Sequence, residues 1–209
     1  MKKLSALIMI VNVCHVSAMA QRIRHHAYTT YYNASKHEPD SVSWDVTSVM
    51  LSNDAIATPG PFKVDPKINS CAKPNDYISP GYTVGLLFSW KNAACNLTDQ
   101  VECLYMSNAL PVNSRCYNSD WQAIDDYERS LAVKDKIHVI AGGWGSMLES
   151  TRSGLTIPKR IWKAVYADGR WTVWIVDNTA NAVGHDYRYW LSTVEQLNAI
   201  TGLNLQNSH

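Results

Sequence analysis

The sequence predicts an α+β fold in which helices flank a central antiparallel β-sheet. Two apolar runs, 161–166 and 171–176, are joined through Asp168-Gly169, a pair typical of tight β-hairpin turns. Another segment, 118–132, carries apolar residues at helical spacing. Because strands and helices do not alternate regularly along the chain, an antiparallel sheet is favoured over a parallel one.

The first twenty residues have the pattern of a secretory signal. Lys2 and Lys3 precede an apolar stretch, 4–13, and Ala18-Met19-Ala20 is a small-x-small cleavage site. The apolar stretch is too short to be a permanent membrane span. The sequence therefore predicts a signal peptide at 1–20, a single domain at 21–209, and a protein that is secreted or periplasmic.

The charge of the predicted mature chain is close to zero. Two of the 19 Lys and Arg residues lie in the predicted signal, which leaves 17 against 18 Asp and Glu residues. Dedicated nucleic-acid-binding proteins commonly carry an excess of basic residues. Attraction of phosphate by this chain would therefore need a local basic patch.

Four cysteines remain in the predicted mature chain, namely Cys71, Cys95, Cys103 and Cys116. An even number in an exported protein favours two disulfides over thiol chemistry. The spacing leaves all three pairings open, and we favour Cys95–Cys103 with Cys71–Cys116. No His and Cys spacing in the chain resembles a zinc site.

The next elements in chain order are a loop region and a helix. The region 59–81 is rich in Pro, Asn, Asp and Ser, which predicts a long irregular loop. The helix predicted at 118–132 has a buried stripe and a polar face. Its buried stripe consists of Trp121, Ile124, Tyr127 and Leu131. Its polar face consists of Asn118, Gln122, Asp125 and Arg129.

Strands and a short helix are predicted for the rest of the chain. Residues 136–141 are expected to form a buried strand that ends in a turn at Gly142-Gly143. After the hairpin, Ser192 and Glu195 have the spacing of a capping box, and Gly202 is placed to end the helix. Together these elements make up the sheet and helices of the predicted fold.

Several short blocks occur in a specific order between Tyr28 and the end of the chain. They are Phe62-Lys63-Val64-Asp65-Pro66, Asp76-Tyr77 with Gly81-Tyr82, Ser107-Asn108-Ala109-Leu110-Pro111, Tyr117-Asn118 with Trp121 and Ile124-Asp125, and Thr193-Val194-Glu195 with Thr201-Gly202-Leu203. In this order they resemble the DNA/RNA non-specific endonucleases of the ββα-metal (His-Me finger) superfamily. The resemblance implies that superfamily's α+β fold.

The resemblance also implies a chemistry, since members of this family hydrolyse phosphodiester bonds with one divalent metal ion, usually Mg²⁺. A histidine of an Asp-Arg-Gly-His motif acts as general base on a water molecule, and an asparagine on the following helix binds the metal. The reaction needs a group that takes a proton near neutral pH and a metal that stabilises charge on the phosphate.

The motif itself is degenerate in this chain. Tyr82-Thr83-Val84-Gly85-Leu86-Leu87 stands where the family has Tyr-Asp-Arg-Gly-His-Leu. Leu86 takes the place of the histidine and cannot accept a proton, and Val84 takes the place of the arginine and cannot stabilise an anionic transition state. An upstream arginine of the family is also absent, because that stretch is Pro59-Gly60-Pro61.

The helix side of the site matches the family more closely. By resemblance Asn118 is the metal ligand, Asp125 replaces a glutamate that holds a metal-bound water, and Arg129 matches an arginine one turn later. Asn108 falls on a further polar position of the family. From the residues alone, a helix N-cap at Asn118 and an exposed Asp125–Arg129 ion pair explain the same pattern. One amide oxygen and a water-mediated carboxylate make a poor Mg²⁺ site without substrate phosphate.

Another histidine would have to replace the lost base, and none lies near the motif in the sequence. The candidates are His25, His26, His37, His138, His185 and His209. The pair His185-Asp186 is explained by a loop in which both side chains are exposed or satisfied.

These features favour an exported nuclease-like protein that no longer cuts. It would act by binding nucleic acid or a protein partner of the cell envelope, or by forming a homodimer. One alternative is an active metal-dependent endonuclease whose base comes from elsewhere in the fold. The other is a protein-interaction module of the cell envelope.

Overall fold

The structure is a computed structural model that describes residues 20–51 and 60–206. The signal peptide predicted at 1–20 lies outside the described residues except for Ala20, as do Pro59 and His209. Among the described residues, no helix has the length and apolar character that crossing a membrane would require.

The described chain folds into strands and helices in the following order. The strands are β1 (Gln21–Arg24), β2 (Tyr28–Asn33), β3 (Glu38–Val46), β4 (Tyr82–Leu86), β5 (Ala109–Asn113), β6 (Ile137–Trp144), β7 (Arg160–Ala167), β8 (Arg170–Asp177) and β9 (Leu191–Ser192). The α-helices are α1 (Leu97–Glu102), α2 (Ser114–Tyr117), α3 (Asp120–Ala132) and α4 (Val194–Thr201). Single turns of 3₁₀ helix lie at Pro74–Tyr77, Trp90–Ala93, Met106–Asn108 and Tyr187–Trp190.

Seven strands form the main sheet in the order β1-β2-β3-β6-β7-β8-β9, and every neighbouring pair is antiparallel. Strands β4 and β5 form a separate antiparallel ribbon. The predicted α+β architecture with a central antiparallel sheet is therefore confirmed.

The two faces of the main sheet are covered by different elements. Because side chains alternate between faces along a strand, β7 contributes Ile161 and Val165 to one face and Trp162 and Ala164 to the other. The first face packs against α3 and the β4–β5 ribbon in the larger core. The second packs against α4 through Leu197. The residues of the predicted nuclease site lie on the α3 side.

The hairpin between β7 and β8 forms as the sequence predicts. Asp168 and Gly169 both have positive φ angles, 50° and 78°, as a two-residue turn with a primed geometry requires. Asparagine, aspartate and glycine tolerate this region better than other residues, which explains why the turn could be identified from the sequence.

Two predicted element boundaries are wrong. Strand β6 continues through Gly142-Gly143 to Trp144, where a turn was predicted. A Cβ atom on Gly142 would lie 2.4 Å from the Asp40 carbonyl oxygen and 2.7 Å from the Trp162 ring, so this glycine permits close packing and does not make a turn. The second error concerns the capping box of α4, which uses Thr193 and Gln196, one residue later than Ser192 and Glu195. Gly202 ends this helix at φ 73°, as predicted.

The predicted disulfides Cys95–Cys103 and Cys71–Cys116 are not formed, since all four cysteines are free thiols in the structure. Cys95 is exposed, whereas Cys103 is buried and its Sγ donates to the Gln100 carbonyl at 3.3 Å. Cys116 is buried in the larger core, whereas Cys71 is only partly buried and lies between that core and a smaller cluster beside β1 and β2. Burial raises the pKa of Cys103 and of Cys116 to about 12, which suits apolar packing better than thiol chemistry.

Candidate functional site

Two of the sequence blocks that carry the family resemblance meet in the interior. The Ser107 hydroxyl donates to Asp65 Oδ2 at 2.5 Å, and the Lys67 backbone N–H donates to Asp65 Oδ1 at 2.9 Å. His25 Nε2 lies 3.1 Å from Asp65 Oδ2, and both side chains are fully buried. Burial alone would raise the pKa of Asp65, but the hydrogen bonds from His25 and Ser107 lower it. These blocks therefore hold the long 60–81 segment to the core.

Asn108, a family polar position, is fully buried and fully engaged. Its amide group donates to the carbonyls of Phe88 at 2.9 Å and Cys103 at 2.8 Å. Its side-chain oxygen accepts from the Phe88 N–H at 2.8 Å. The Leu87 N–H also donates to the Asn108 backbone carbonyl at 2.9 Å, so Asn108 fixes the chain directly beyond the degenerate motif.

Leu86 lies at the end of β4, opposite Ala109 on β5, and is only 3% exposed. Val84, two residues earlier, packs against the same core. The Leu86 N–H donates to the Tyr117 hydroxyl at 3.2 Å. The two positions that the resemblance assigns to the catalytic histidine and arginine therefore hold apolar side chains that pack in the core. Tyr117 of α2 joins the strand to the helical side of the site.

Asn118 does not lie on the polar face of the helix, contrary to the prediction. It follows α2 as its C-cap residue, and the N-cap of α3 is Ser119. The Asn118 side chain is exposed and makes no hydrogen bond to other described residues. It is therefore free to bind a ligand, although it shares no helical face with Asp125.

Asp125 is the largest departure from the prediction, because it is buried and not exposed. Its carboxylate accepts a hydrogen bond from the Lys163 ammonium of β7, and the same ammonium donates to Glu128. All three side chains are at most 1% exposed. The carboxylate that the resemblance assigns to a metal-bound water is thus paired with an internal cation.

The surroundings of this triad satisfy its remaining hydrogen-bonding groups. Glu128 Oε1 accepts from Asn92 Nδ2 at 2.8 Å and from Trp44 Nε1 at 3.2 Å. The Lys163 ammonium also lies over the rings of Trp121 and Trp44, 4.9 Å and 5.5 Å from their centroids. Buried charges are tolerated where they are paired and hydrogen-bonded in this way.

The protonation of the triad follows from its charges. Although desolvation lowers the pKa of Lys163, its two carboxylate partners raise it overall, so the ammonium stays charged. Burial and the neighbouring Glu128 raise the pKa of Asp125, against the opposing effect of Lys163. One cation between two carboxylates leaves one negative charge unbalanced. Asp125 therefore holds its proton more strongly than a free aspartate does.

Arg129 pairs with Asp126, one residue beyond the predicted partner Asp125. Because Asp125 points into the core, the exposed Asp125–Arg129 pair does not form. Arg129 Nη1 is buried and has no hydrogen-bond partner among the described residues. Of the helix residues carried over from the family, only Asn118 has an exposed side chain without a hydrogen bond to the described residues.

The described donors do not form a Mg²⁺ site on their own. Asn118 offers one neutral oxygen, and Asp125 and Glu128 are committed to Lys163. Magnesium prefers carboxylate oxygens and water in octahedral geometry. No group of three or more His, Cys, Asp or Glu side chains in the described part of the chain is arranged to hold a metal ion.

A histidine does lie close to the helix start that follows Asn118, which sequence separation had hidden. His185 Nδ1 lies 2.7 Å from Asp120 Oδ2, and the His185 N–H donates to Asp120 Oδ1 at 3.0 Å. Trp190 Nε1 also donates to Asp120 Oδ2 at 2.7 Å. Burial would raise the pKa of Asp120, but these hydrogen bonds lower it. The reading of His185 and Asp186 as satisfied loop residues is confirmed, since His185 bonds to Asp120 and Asp186 bonds to Arg188.

The His185 ring is oriented by its neighbours. It stacks on Tyr189 with centroids 4.0 Å apart and meets Trp190 edge-on at 5.8 Å. Its side chain is 32% exposed, whereas Asp120 is fully buried. When Nδ1 donates to a buried carboxylate, Nε2 carries the lone pair and can accept a proton or bind a metal.

Sequence reasoning did not find Lys163, Glu128 or Asp120. Lys163 stands in a run of alternating residues, where a lysine is ordinarily assigned to the solvent side. Glu128 and Asp120 lie on the helix at positions that look exposed unless the depth of the sheet contact is known. The clue for Lys163 was the pair of acidic residues one helical turn apart, Asp125 and Glu128, facing the same direction as Trp121.

Comparisons with known proteins identify the family and the fold of this chain. A family model described as DNA/RNA non-specific endonuclease matches residues 8–209. A "Nuclease" of Nostoc sp. (strain PCC 7120) is 25% identical over 189 residues, which span 84% of this chain and 69% of the relative. The solved structure of the EndoG/EndoGI complex superposes with a TM-score of 0.77 at 18% identity, covering 88% of this chain and 84% of that chain.

The structural likeness confirms the fold, and the family match spans nearly the whole sequence. The family match, the structural likeness and the ordered sequence blocks are three separate observations that support the same family. The chain belongs to the DNA/RNA non-specific endonuclease family.

Proposed function

We propose that this protein is a nuclease-fold protein that binds nucleic acid without hydrolysing it. The observation that carries the proposal is the Lys163 ammonium between Asp125 and Glu128. It neutralises the carboxylate that would hold a metal-bound water, while Leu86 and Val84 remove the base and the arginine. Loss of a general base typically costs a factor of about 10² to 10⁴ in rate, and loss of charge stabilisation costs a further factor of about 10² to 10³.

The choice of nucleic acid as the partner rests on the family. Members of the nuclease family act on polynucleotides, and Asn118, at the metal-ligand position implied by the resemblance, is exposed. The near-neutral charge of the predicted mature chain favours weak, salt-dependent binding over tight binding. A protein partner of the cell envelope, or a second copy of the chain, is the competing assignment.

We also propose that the protein is exported, with residues 1–20 removed and the remaining chain secreted or periplasmic. This rests on the charge and apolar pattern of 1–20. Expression in a bacterial host followed by N-terminal sequencing of the periplasmic fraction tests it. Recovery of a chain that begins at Gln21 supports the proposal, and recovery of only the uncleaved chain in the cytoplasm contradicts it.

Binding without cutting can be tested with labelled DNA and RNA oligonucleotides in the presence of Mg²⁺. Fluorescence anisotropy should show saturable binding that weakens with added salt, and gels should recover the oligonucleotides intact. The variant with Leu86→His and Val84→Arg serves as the comparison for regained cleavage. Absence of binding at low salt would favour a protein-interaction module, which pull-down from envelope extracts would then test.

A second candidate function, an active endonuclease with a different base, is favoured by the His185–Asp120 pair. His185 lies against the start of α3, two residues beyond Asn118, and its Nε2 is the nitrogen not bound to Asp120. In this mechanism His185 would take the proton from a water near Asn118. The arrangement resembles a histidine held by a carboxylate in other hydrolases.

Two variants separate this candidate from the proposal. His185→Ala should abolish any metal-dependent cleavage if His185 is the base, and Asp120→Asn should weaken it. The matched control is His138→Ala, because His138 is also held by a carboxylate, with its Nδ1 2.7 Å from Asp45 Oδ1. Equal residual cleavage in all three proteins would exclude His185 as the base.

A further inference from the structure

A cavity of about 640 Å³ lies away from the residues of the nuclease site. It is bounded by the start of β3, the end of β6, Trp162 of β7 and the C-terminal end of α4. None of Leu86, Asn118 or Asp125 lines it. Its volume falls within the range of small-molecule sites, which is about 300 to 1,000 Å³.

The wall of this cavity contains a buried carboxylate with an unsatisfied oxygen. Glu38 is 3% exposed, and its Oε1 has no hydrogen-bond partner among the described residues. Burial raises the pKa of Glu38 to about 8, with Lys36 acting in the opposite direction. A buried polar atom without a partner costs about 1 to 3 kcal/mol, so native proteins seldom leave one unless a water or a ligand satisfies it.

The charges in the cavity wall do not balance when Glu38 is ionised. Its ionisable lining residues are Lys36, Glu38 and Asp40. Lys36 Nζ is already bonded to Asp40 Oδ1 at 2.8 Å, so the remaining charge is that of Glu38. A cation is the ligand that would complete the wall.

Two indole rings, Trp144 and Trp162, also line the cavity. Indole is the aromatic group that attracts cations most strongly, and a carboxylate next to aromatic faces is a common way to bind an organic cation. The Arg160 guanidinium already lies over the Trp144 ring, 5.8 Å from its centroid, which shows that this ring accepts such a group. An inorganic cation would instead need several oxygen ligands, and Glu38 is the only uncommitted carboxylate among the described lining residues.

We propose that this cavity binds an organic cation of the guanidinium or ammonium class, held by Glu38 and by the ring of Trp144, with the buried Trp162 in the same wall. This cation site is separate from the residues of the nuclease site, and its function is additional to the proposed nucleic-acid binding. The cation is either a free small molecule or the side chain of an arginine in a peptide. Both offer N–H donors to the carboxylate and a positive charge to the indole rings.

The test uses calorimetric titration of the purified chain at pH 9, above the raised pKa of Glu38. The ligands are agmatine, a short arginine-containing peptide, and a neutral alkylurea of similar shape to agmatine. Agmatine should bind, and the alkylurea should bind at least about tenfold more weakly, because it offers N–H donors without a positive charge. Tighter binding of the peptide than of agmatine identifies a peptide as the source, and the reverse identifies a free amine.

The variant Glu38→Gln should weaken agmatine binding by about 10- to 100-fold, as expected for a hydrogen bond to a charged group. The matched control is Glu149→Gln, the same substitution at an exposed carboxylate that does not line the cavity, and it should leave agmatine affinity within about threefold of wild type. Thermal unfolding of both variants verifies that they are folded, and Trp144→Leu provides a second variant that removes an indole face without touching Glu38.

Three results would overturn the proposal. They are equal affinity for agmatine and the alkylurea, no agmatine binding by the folded wild type, and unchanged agmatine affinity in both Glu38→Gln and Trp144→Leu. Oligonucleotide anisotropy on the same preparation keeps this outcome separate from the proposed function. Loss of agmatine binding with retained oligonucleotide binding refutes the cation site alone.

Discussion

At the scale of single residues, Lys163 is the side chain that most alters the nuclease site. A lysine inside a strand is ordinarily a surface residue, but this one is enclosed by Asp125, Glu128 and two indole rings. Its ammonium provides the positive charge that pairs with Asp125 and Glu128. The three side chains form an internal ion network that links α3 to β7.

Removal of this cation should be costly to the fold. Lys163→Met leaves Asp125 and Glu128 buried without a countercharge, and breaking a buried pair in this way costs about 3 to 5 kcal/mol. Urea unfolding measures the loss. The combined variant Lys163→Met, Asp125→Asn and Glu128→Gln should recover most of it, since no unpaired charge remains. A Lys163→Met protein within about 1 kcal/mol of wild type would contradict the role assigned to the triad.

Two asparagines at family positions should respond in opposite ways. Asn108→Ala leaves the Phe88 N–H and the carbonyls of Phe88 and Cys103 buried without partners, which should cost about 2 to 4 kcal/mol. Asn118→Ala removes an exposed side chain and should change the free energy of unfolding by less than about 0.5 kcal/mol. Denaturant titration of both variants gives the comparison, and a large loss for Asn118→Ala would show that its side chain has a structural partner.

The raised pKa of Glu38 predicts a dependence of stability on pH. The folded carboxyl holds its proton up to about pH 8, whereas the unfolded one ionises near its ordinary value of 4.5. The contribution of this group is therefore fully present below pH 4.5 and is lost as the pH rises towards 8. Over that window the free energy of unfolding of wild type should fall relative to Glu38→Gln by roughly 1 kcal/mol per pH unit. Parallel slopes for the two proteins between pH 5 and pH 8 would contradict a buried, protonated Glu38.

At the scale of elements, the sequence predicted best where local chemistry decides the structure. The β7–β8 hairpin depends on Asp168 and Gly169, which tolerate positive φ, and the body of α3 depends on apolar residues at helical spacing. The start of α3 was less clear because Asn118, Ser119 and Asp120 are all good cap residues. The turn predicted at Gly142-Gly143 was wrong because glycine is needed there for the close approach of neighbouring strands. Local sequence does not reveal that approach.

The close approach of β3, β6 and β7 at Gly142 gives a prediction for the sheet. Gly142→Ala would place a methyl group against the Asp40 carbonyl and the Trp162 ring, and overpacking of this kind costs about 1 to 3 kcal/mol. Gly60→Ala is the control, because the nearest atom to its added Cβ is a Leu104 methyl at an ordinary 3.8 Å. Thermal unfolding should show a lower midpoint for Gly142→Ala only. Equal unfolding midpoints for Gly142→Ala and Gly60→Ala would mean that β3 and β7 accommodate the added methyl group without loss of stability.

At the scale of the whole molecule, the fold of the family is retained, and we propose that its chemistry is not. Some of the blocks that identified the family hold distant segments of the chain together. Ser107 bonds to Asp65, and Asn108 bonds to Phe88 just after β4. This explains why the fold could be predicted from sequence and the site only in part. The losses at Leu86 and Val84 were visible in the motif, but the pairing of Asp125 with Lys163 and of His185 with Asp120 depends on contacts between distant segments.

The direct test of the central claim, that this domain no longer hydrolyses nucleic acid, is the rate of plasmid nicking by the purified protein with Mg²⁺ or Mn²⁺. Wild type, Asn118→Ala and His185→Ala are assayed together, with RNA as a second substrate. We predict that wild type nicks plasmid no faster than either variant and that chelation of the metal leaves the nicking rate unchanged. Metal-dependent nicking by wild type that is abolished in Asn118→Ala would contradict it and establish an active nuclease.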